Sequence, residues 1–431
     1  MSVSVRAVLI GLALLFAGAA GAEEYKLNIT KGGAAKMRIE VRDFRYIETL
    51  EAPLDGGEEC EEVLARDLTF SDFFNVRRET NYLPGIEDST RAPRDVFALV
   101  HGEVRREWGK VVLKGEVVEA ASGKTIFRKS YPIGSPPDRW AVHSYADDIV
   151  YYLTGEPGVA QSRIVFIGTQ DGKKDLWSVD YDGARLGQVT RLANIAISPA
   201  FAPSGDAIAF TSFMNGRPDL VSVRLADGKI TPISNRPGIN SAPCYSPRGD
   251  RIAASLSFEG NAEIYLLDPS GAQATRLTFL PSIETAPTFS PKGDRIAFTS
   301  DRTGEPQVYI MDADGANARR LSFNGKWCDS ADWSPKGDWI VYVALIDDVF
   351  DLCMIRPDGS ALQRITGGAG SWENPRWAPD GRHIVAAKRE GGVRKLYVMA
   401  ADGGGKRALT AFRGDQYNPA WSPPLRGTDA R

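Results

Sequence analysis

The chain has 431 residues, of which 43% are hydrophobic and 25% charged, and its formal net charge is −3. That is an ordinary globular composition with room for two domains. Its Lys and Arg are scattered rather than clustered, which excludes a phosphate-binding face and hence nucleic acid as a partner.

In chain order, Arg6, the apolar run from Ala7 to Phe16 and the small residues Ala20-Gly21-Ala22 have the layout of a secretory signal peptide. Cleavage is expected between Ala22 and Glu23, making residues 1–22 the signal. The apolar run falls short of the ~20 residues of a membrane span, and no Cys stands at the cleavage site to take a lipid. An exported, soluble mature chain is expected.

Residues 23–155 read as a small α/β domain, two helices on a short sheet. Met37 to Val41 alternates as a strand. Glu58 to Leu68 has apolar residues at helical spacing, with acidic residues in its first turn. Val96 to Val100, Val111 to Val118 and Thr125 to Tyr131 read as strands, turned at Trp108-Gly109 and Ser122-Gly123. Arg139 to Leu153 reads as a second helix, stopped near Gly155 and Pro157. The short link that follows implies that this domain touches the next one.

From there the chain repeats itself. Phe201, Tyr245, Phe289, Trp333, Trp377 and Trp421 are each 44 residues apart, and the first five open phrases such as "FSPKGDRIAFTS". A period of 40–50 residues built of short alternating runs is the signature of a β-propeller with one four-stranded blade per repeat. Each aromatic ends a strand A, a Pro- and Gly-bearing turn follows, and strands B, C and D complete the blade. Strand-B segments begin near 163, 207, 251, 295, 339 and 383, so the first B lacks an A before it and the last A, at Trp421, lacks a B after it. Pairing these two closes a six-bladed ring over residues 160–425 and removes two sheet edges.

No catalytic constellation is evident. The histidines are His101, His143 and His383, without a His-Glu-x-x-His or a Gly-x-Ser-x-Gly. His383 reads as a strand-end side chain and His143 as an interdomain contact. Asp206, Asp250, Asp294 and Asp338 recur after the turn glycine, and Arg382 replaces the fifth. They read as turn-fixing carboxylates; a cation collected in the channel is the alternative. No metal or other cofactor is expected otherwise. Cys60, Cys244, Cys328 and Cys353 lack metal-ligand spacing. Cys328 and Cys353 fall near loops opening on one face of one blade, so a disulfide between them is one expectation; Cys244 reads as a buried thiol.

The columns just before the aromatic separate packing from recognition. Two residues before it stand Pro199, Pro243, Pro287, Ala331, Pro375 and Pro419. Four and five residues before it the residue type varies freely: Ala196-Ile197, Asn240-Ser241, Glu284-Thr285, Cys328-Asp329, Trp372-Glu373 and Gln416-Tyr417. These lie on D-to-A loops around one mouth of the channel, where a recognition surface is expected.

Beyond the repeats, "RDLTFSDFF" (66–74), "RWAVHSYADDIVYYLTGEPG" (139–158) and "YNPAWSPP" (417–424) resemble the TolB family, the periplasmic component of the Tol-Pal system, over the whole mature chain. The resemblance implies a non-catalytic, monomeric periplasmic adaptor. It would dock the outer-membrane lipoprotein Pal, with other outer-membrane proteins as further partners, and so associate peripherally with that membrane. It would also bind TolA, and support outer-membrane integrity and constriction at cell division; protein import is a further role the family implies. Carried over by position, the Pal-facing residues are Asn240, Ser241, Ala242, Glu284, Thr285, Ala286, Asp329, Ser330, Glu373 and Asn374. The TolA-facing segment is 23–33, led by Glu23, Glu24, Tyr25, Lys26, Leu27, Asn28 and Ile29, whose alternation suits adding a strand to a partner's sheet. The following "KMRIEVRDF" departs from the family in lacking a proline. The alternatives are an exported propeller that binds a glycan or small ligand, and a peptidase-related propeller. Against the latter, the chain ends eight residues after Pro423, and no hydrolase domain is expected.

Overall fold

A computed structural model describes residues 36–47, 59–79, 95–134, 139–192, 194–368 and 370–425. The expected signal segment 1–22 and the arm 23–33 lie outside the described residues.

The first domain contains β1 (Met37–Arg42), β2 (Arg45–Tyr46), α1 (Cys60–Phe70), β3 (Phe74–Glu79), β4 (Ala98–Glu107), β5 (Lys110–Glu119), β6 (Thr125–Pro132) and α2 (Trp140–Thr154). Its sheet runs β3-β1-β4-β5-β6, with β2 also beside β4. Period-2 alternation buries Val100 and Val104 of β4 and Leu113 and Val117 of β5 against the helices. Tyr145 of α2 pins them there, its hydroxyl donating to the carbonyls of His101 and Glu116, each at 2.9 Å. Only glycine fits beneath that ring, because a Cβ on Gly115 would lie 2.4 Å from it. α2 stops at Gly155, whose φ of 73° is the left-handed cap expected of a glycine. The alternation announced neither β2, only two residues long, nor β3, which runs parallel to β1 straight after α1.

The rest of the chain forms six four-stranded sheets. Five are consecutive, with inner strands Ala196–Phe201, Asn240–Tyr245, Glu284–Phe289, Cys328–Trp333 and Ser371–Trp377. The sixth joins the C-terminal strand Gln416–Trp421 to Arg163–Gln170, with Tyr417 opposite Ile167 and Trp421 opposite Ile164. The unfinished sixth repeat is therefore the strand that closes the ring. Each aromatic packs into a cluster shared with its neighbours, as Phe289 does with Ile264 and Leu266 of the preceding blade.

Every inner strand also carries a β-bulge. Three residues before each aromatic, Ser198, Ala242, Ala286, Ser330, Asn374 and Asn418 have φ between 45° and 55°. The ladder register shifts across each of them. A left-handed non-glycine residue costs roughly 1–2 kcal/mol, so the ring holds this conformation six times against local preference. Proline, which cannot donate to a ladder, follows at five of the six.

The domains share one apolar core. Val63, Leu64, Val142 and Ile149 of the first domain belong to the same buried cluster as Phe166, Val179, Val385 and Leu396 of the propeller. The contacts across it come from A-to-B and C-to-D turns: Phe70 stacks on His383 at 4.3 Å, Arg382 lies over Phe73 at 3.7 Å, and Lys336 pairs with Glu156 at 2.8 Å. The small domain thus packs on the A-to-B face of the propeller, against the blades of Trp333 and Trp377 and the closing blade, and leaves the D-to-A loops on the other face.

The recurring aspartates are turn residues. Asp206 takes a hydrogen bond from Ser204, Asp250 and Asp294 accept from Ser246 and Ser290 at 2.7 Å each, and Asp338 accepts from Ser334 at 3.1 Å. Among the described residues no group of three or more His, Cys, Asp or Glu is arranged to hold a metal.

The expected disulfide is corrected. All four cysteines are free. Cys328 pairs with Ala344, and Cys353 with Tyr342, on opposite sides of the strand Ile340–Ile346. Two strand spacings, about 9–10 Å, exceed the reach of about 7 Å between the Cα atoms of a disulfide. The Asn324 amide lies between the thiols instead, donating to Cys353 Sγ at 3.3 Å.

Candidate functional site at the open mouth

The open mouth is built column by column, and the columns differ in exposure. Five residues before the aromatic, Ala196, Asn240, Glu284, Cys328, Trp372 and Gln416 are all buried. Two of the expected partner-facing residues are therefore corrected to structural roles. Asn240 Nδ2 donates to the carbonyls of Pro218 at 3.1 Å and Arg236 at 2.7 Å, and its Oδ1 accepts from Ser234 at 2.6 Å. Glu284 accepts from Ser300 at 2.9 Å and from Arg302 at 3.1 Å. Burial raises its pKa, against those hydrogen bonds and the Arg302 charge that lower it. Both side chains tie loops together and leave no surface for a partner.

The next two columns are half-buried and line the inside of the mouth. They hold Ser241, Ala242, Thr285, Ala286, Asp329, Ser330, Glu373 and Asn374 of the expected set. Neighbouring blades are stitched here: Thr299 donates to Asp329 at 2.8 Å and Asn374 to Ser330 at 3.3 Å. Glu373 accepts from Arg394 at 2.8 Å. These eight residues come together as a polar, partly engaged ring.

The outermost column was missed. Six residues before the aromatic stand Ile195, Ile239, Ile283 and Trp327, all exposed, with Ile239 at 44% and Ile283 at 54%. Their backbones are held firmly by the B-to-C loops. Ile239 N donates to Ser257 Oγ, and Ile283 N to Asp301 Oδ1, at 2.7 Å each; Leu345 N donates to the Trp327 carbonyl at 2.7 Å. Phe279, at 71%, and Phe323, at 74%, extend the same rim. Apolar residues in a loop column at a constant 44-residue spacing were the available signal. The remaining two members, Ser371 and Asp415, are polar, so the rim is an apolar crescent over four blades. An apolar arc around a polar centre, on rigid backbone, is how a protein-binding surface is made.

The histidines do not form a site at this mouth. His383 Nδ1 lies 2.6 Å from Asp380, and His143 Nδ1 lies 2.7 Å from Asp67, both where the small domain packs on the propeller. No helix among the described residues is long and apolar enough to cross a membrane.

A closed six-bladed propeller, with a small domain packed against part of one face and an apolar rim on the other, defines a propeller-type binding scaffold. The TolB beta propeller domain model matches residues 150–425, and the chain belongs to that family. It is similar to a TolB homologue of Chlorobium chlorochromatii, 41% identical over 110 residues, which are 26% of this chain and 25% of that protein. It also resembles the Tol-Pal system protein TolB of Desulfosudis oleivorans, 35% identical over 188 residues, 41% and 43% of the two chains. The chain spans less than half the length of these curated relatives. The crystal structure of TolB from Acinetobacter baumannii superposes with a TM-score of 0.77 at 25% identity, covering 90% of this chain and 97% of that one.

Proposed function

We propose that this chain is a Tol-Pal adaptor of the periplasm that docks Pal at the open mouth and engages TolA through residues 23–33, without catalysis. The observation that carries the reading is the apolar crescent on the face away from the small domain, in a chain of the TolB family. Ile195, Ile239, Ile283 and Trp327 supply desolvation energy, while Ser241, Thr285, Asp329, Ser330, Glu373 and Asn374 supply hydrogen bonds inside the arc. Docked through Pal, the protein is peripheral to the outer membrane and serves its integrity and its constriction at division. The arm and the mouth act as separate contacts. Removing residues 23–33 should abolish TolA binding and leave Pal binding intact, measured with each purified partner; loss of both together would sink the division of labour.

A further inference from the structure

A cavity of about 480 Å³ occupies the channel toward its A-to-B end, away from the open mouth, where the turn prolines Pro203, Pro247, Pro291, Pro335, Pro379 and Pro423 ring it. Several residues of each blade line it, and among them the one immediately before the aromatic changes chemistry from blade to blade: Ala200, Cys244, Thr288, Asp332, Arg376 and Ala420. Pseudo-symmetric positions would favour similar residues, yet this ring is split. Ala420 and Ala200, on adjacent blades, leave space. Thr288, Asp332 and Arg376, on three consecutive blades, place a hydroxyl, a carboxylate and a guanidinium on the rest of the wall.

The charged pair is not used up by the fold. Arg376 Nη1 donates to the Pro375 carbonyl at 3.0 Å, which engages one of its five N–H groups. Asp332 accepts the Trp377 backbone N–H on Oδ2 at 2.7 Å, while Thr288 reaches Oδ1 only at 3.4 Å. The two side chains influence each other electrostatically: burial raises the Asp332 pKa, and Arg376 acts to lower it. The wall therefore offers a guanidinium with N–H groups to spare beside a carboxylate with lone pairs to spare. Apolar walls with a few convergent polar groups are what small-ligand sites share.

We infer that the channel binds a small molecule carrying a carboxylate close to an amino or amide N–H, a free amino acid or short peptide. The carboxylate lies on the Arg376 guanidinium, whose planar fork matches it, and the N–H group lies on Asp332. The body of the ligand fills the space beside Ala200 and Ala420. A bare cation is disfavoured by the guanidinium already facing the same space.

The site is independent of docking at the rim and is tested on the full chain without a partner. Glycylglycine is titrated by calorimetry, with acetate and ethylamine as probes that each carry one group. Glycylglycine should bind saturably and more tightly than either probe by about tenfold or more. Arg376→Gln and Asp332→Asn should each weaken it by about tenfold. Ala200→Leu, which narrows the space assigned to the body of the ligand without touching the polar wall, should weaken binding by about tenfold and leave docking of Pal unchanged. No saturable binding up to about 10 mM would overturn the inference. So would acetate binding as tightly as glycylglycine, or an Ala200→Leu variant that binds like the parent.

Discussion

His143 Nδ1 lies 2.7 Å from Asp67 Oδ2, with both side chains fully buried between the small domain and the propeller. The other Asp67 oxygen accepts from the Tyr181 hydroxyl of the propeller, so one carboxylate ties α1, α2 and a blade together. Close by, Asp182 pairs with Arg139 and with Arg66. Burial alone would lower the His143 pKa, but the charge of Asp67, with Asp180 and Asp182 behind it, raises it. A folded-state pKa above the unfolded value gives stability that is complete below about pH 6.5 and lost as pH rises through the folded pKa. Asp182, whose pKa is lowered by Arg139 and His143 against its burial, loses its contribution only at acid pH, outside that window. Chemical denaturation should therefore show stability falling from pH 6.5 upward, and His143→Gln should flatten the slope. Asp67→Ala should cost about 3–5 kcal/mol by orphaning buried partners. A flat profile in the parent would refute the linkage.

The two outer columns of the mouth predict opposite behaviour under mutation. Asn240→Ala and Glu284→Ala remove buried hydrogen-bonding groups and should each cost about 1–3 kcal/mol in urea unfolding. Ile239→Ser and Ile283→Ser change exposed side chains and should stay within about 0.5 kcal/mol of the parent. Equal effects from the two pairs would mean that the columns are misassigned.

Trp421 belongs to the strand that closes the ring, and its indole Nε1 donates to Ser162 Oγ at 2.8 Å. Trp421→Ala should cost about 3–5 kcal/mol, most of it through the seam between the first and last blades. Hydrogen exchange should accordingly speed up first in Arg163–Gln170. Unchanged protection there would show that the seam does not depend on this residue.

The thiols give a simple chemical check. With Cys328 and Cys353 separated by a strand, protein purified under oxidising conditions should titrate all four cysteines as free thiols after denaturation. Reductant should leave its melting temperature unchanged. A titre two thiols short would restore the disulfide.

The blade count, the closure and the two helices were legible because they rest on period, and period survives in a single sequence. The rim was not. Counting outward from the aromatic by strict alternation ignores the extra residue that each bulge inserts, and one extra residue exchanges the inward and outward positions beyond it. Nothing at Ala242 or Ala286 announces a positive φ, since neither is glycine; the bulge is imposed by the ring. Varied residue types at Asn240 and Glu284 suggested recognition, whereas each loop uses a different buried polar group to hold itself. The channel ring of Thr288, Asp332 and Arg376 escaped notice because it lies beside the aromatic, inside a phrase whose other residues serve turns and packing. β3 was hidden for another reason: a short parallel edge strand, with charged Arg77, Arg78 and Glu79, has neither strong alternation nor a hairpin turn.

Pal is proposed to dock on the apolar crescent of the open mouth. Calorimetric titration of the full chain with purified Pal, repeated with Ile239→Asp, Ile283→Asp and Trp327→Ala, tests it most directly. Each substitution should weaken binding by at least about tenfold, about 1.4 kcal/mol, with the melting temperature unchanged. Trp108→Ala, at the exposed β4–β5 hairpin tip of the small domain, should bind like the parent. Full-strength binding by all three mouth variants would rule out docking of Pal at the crescent.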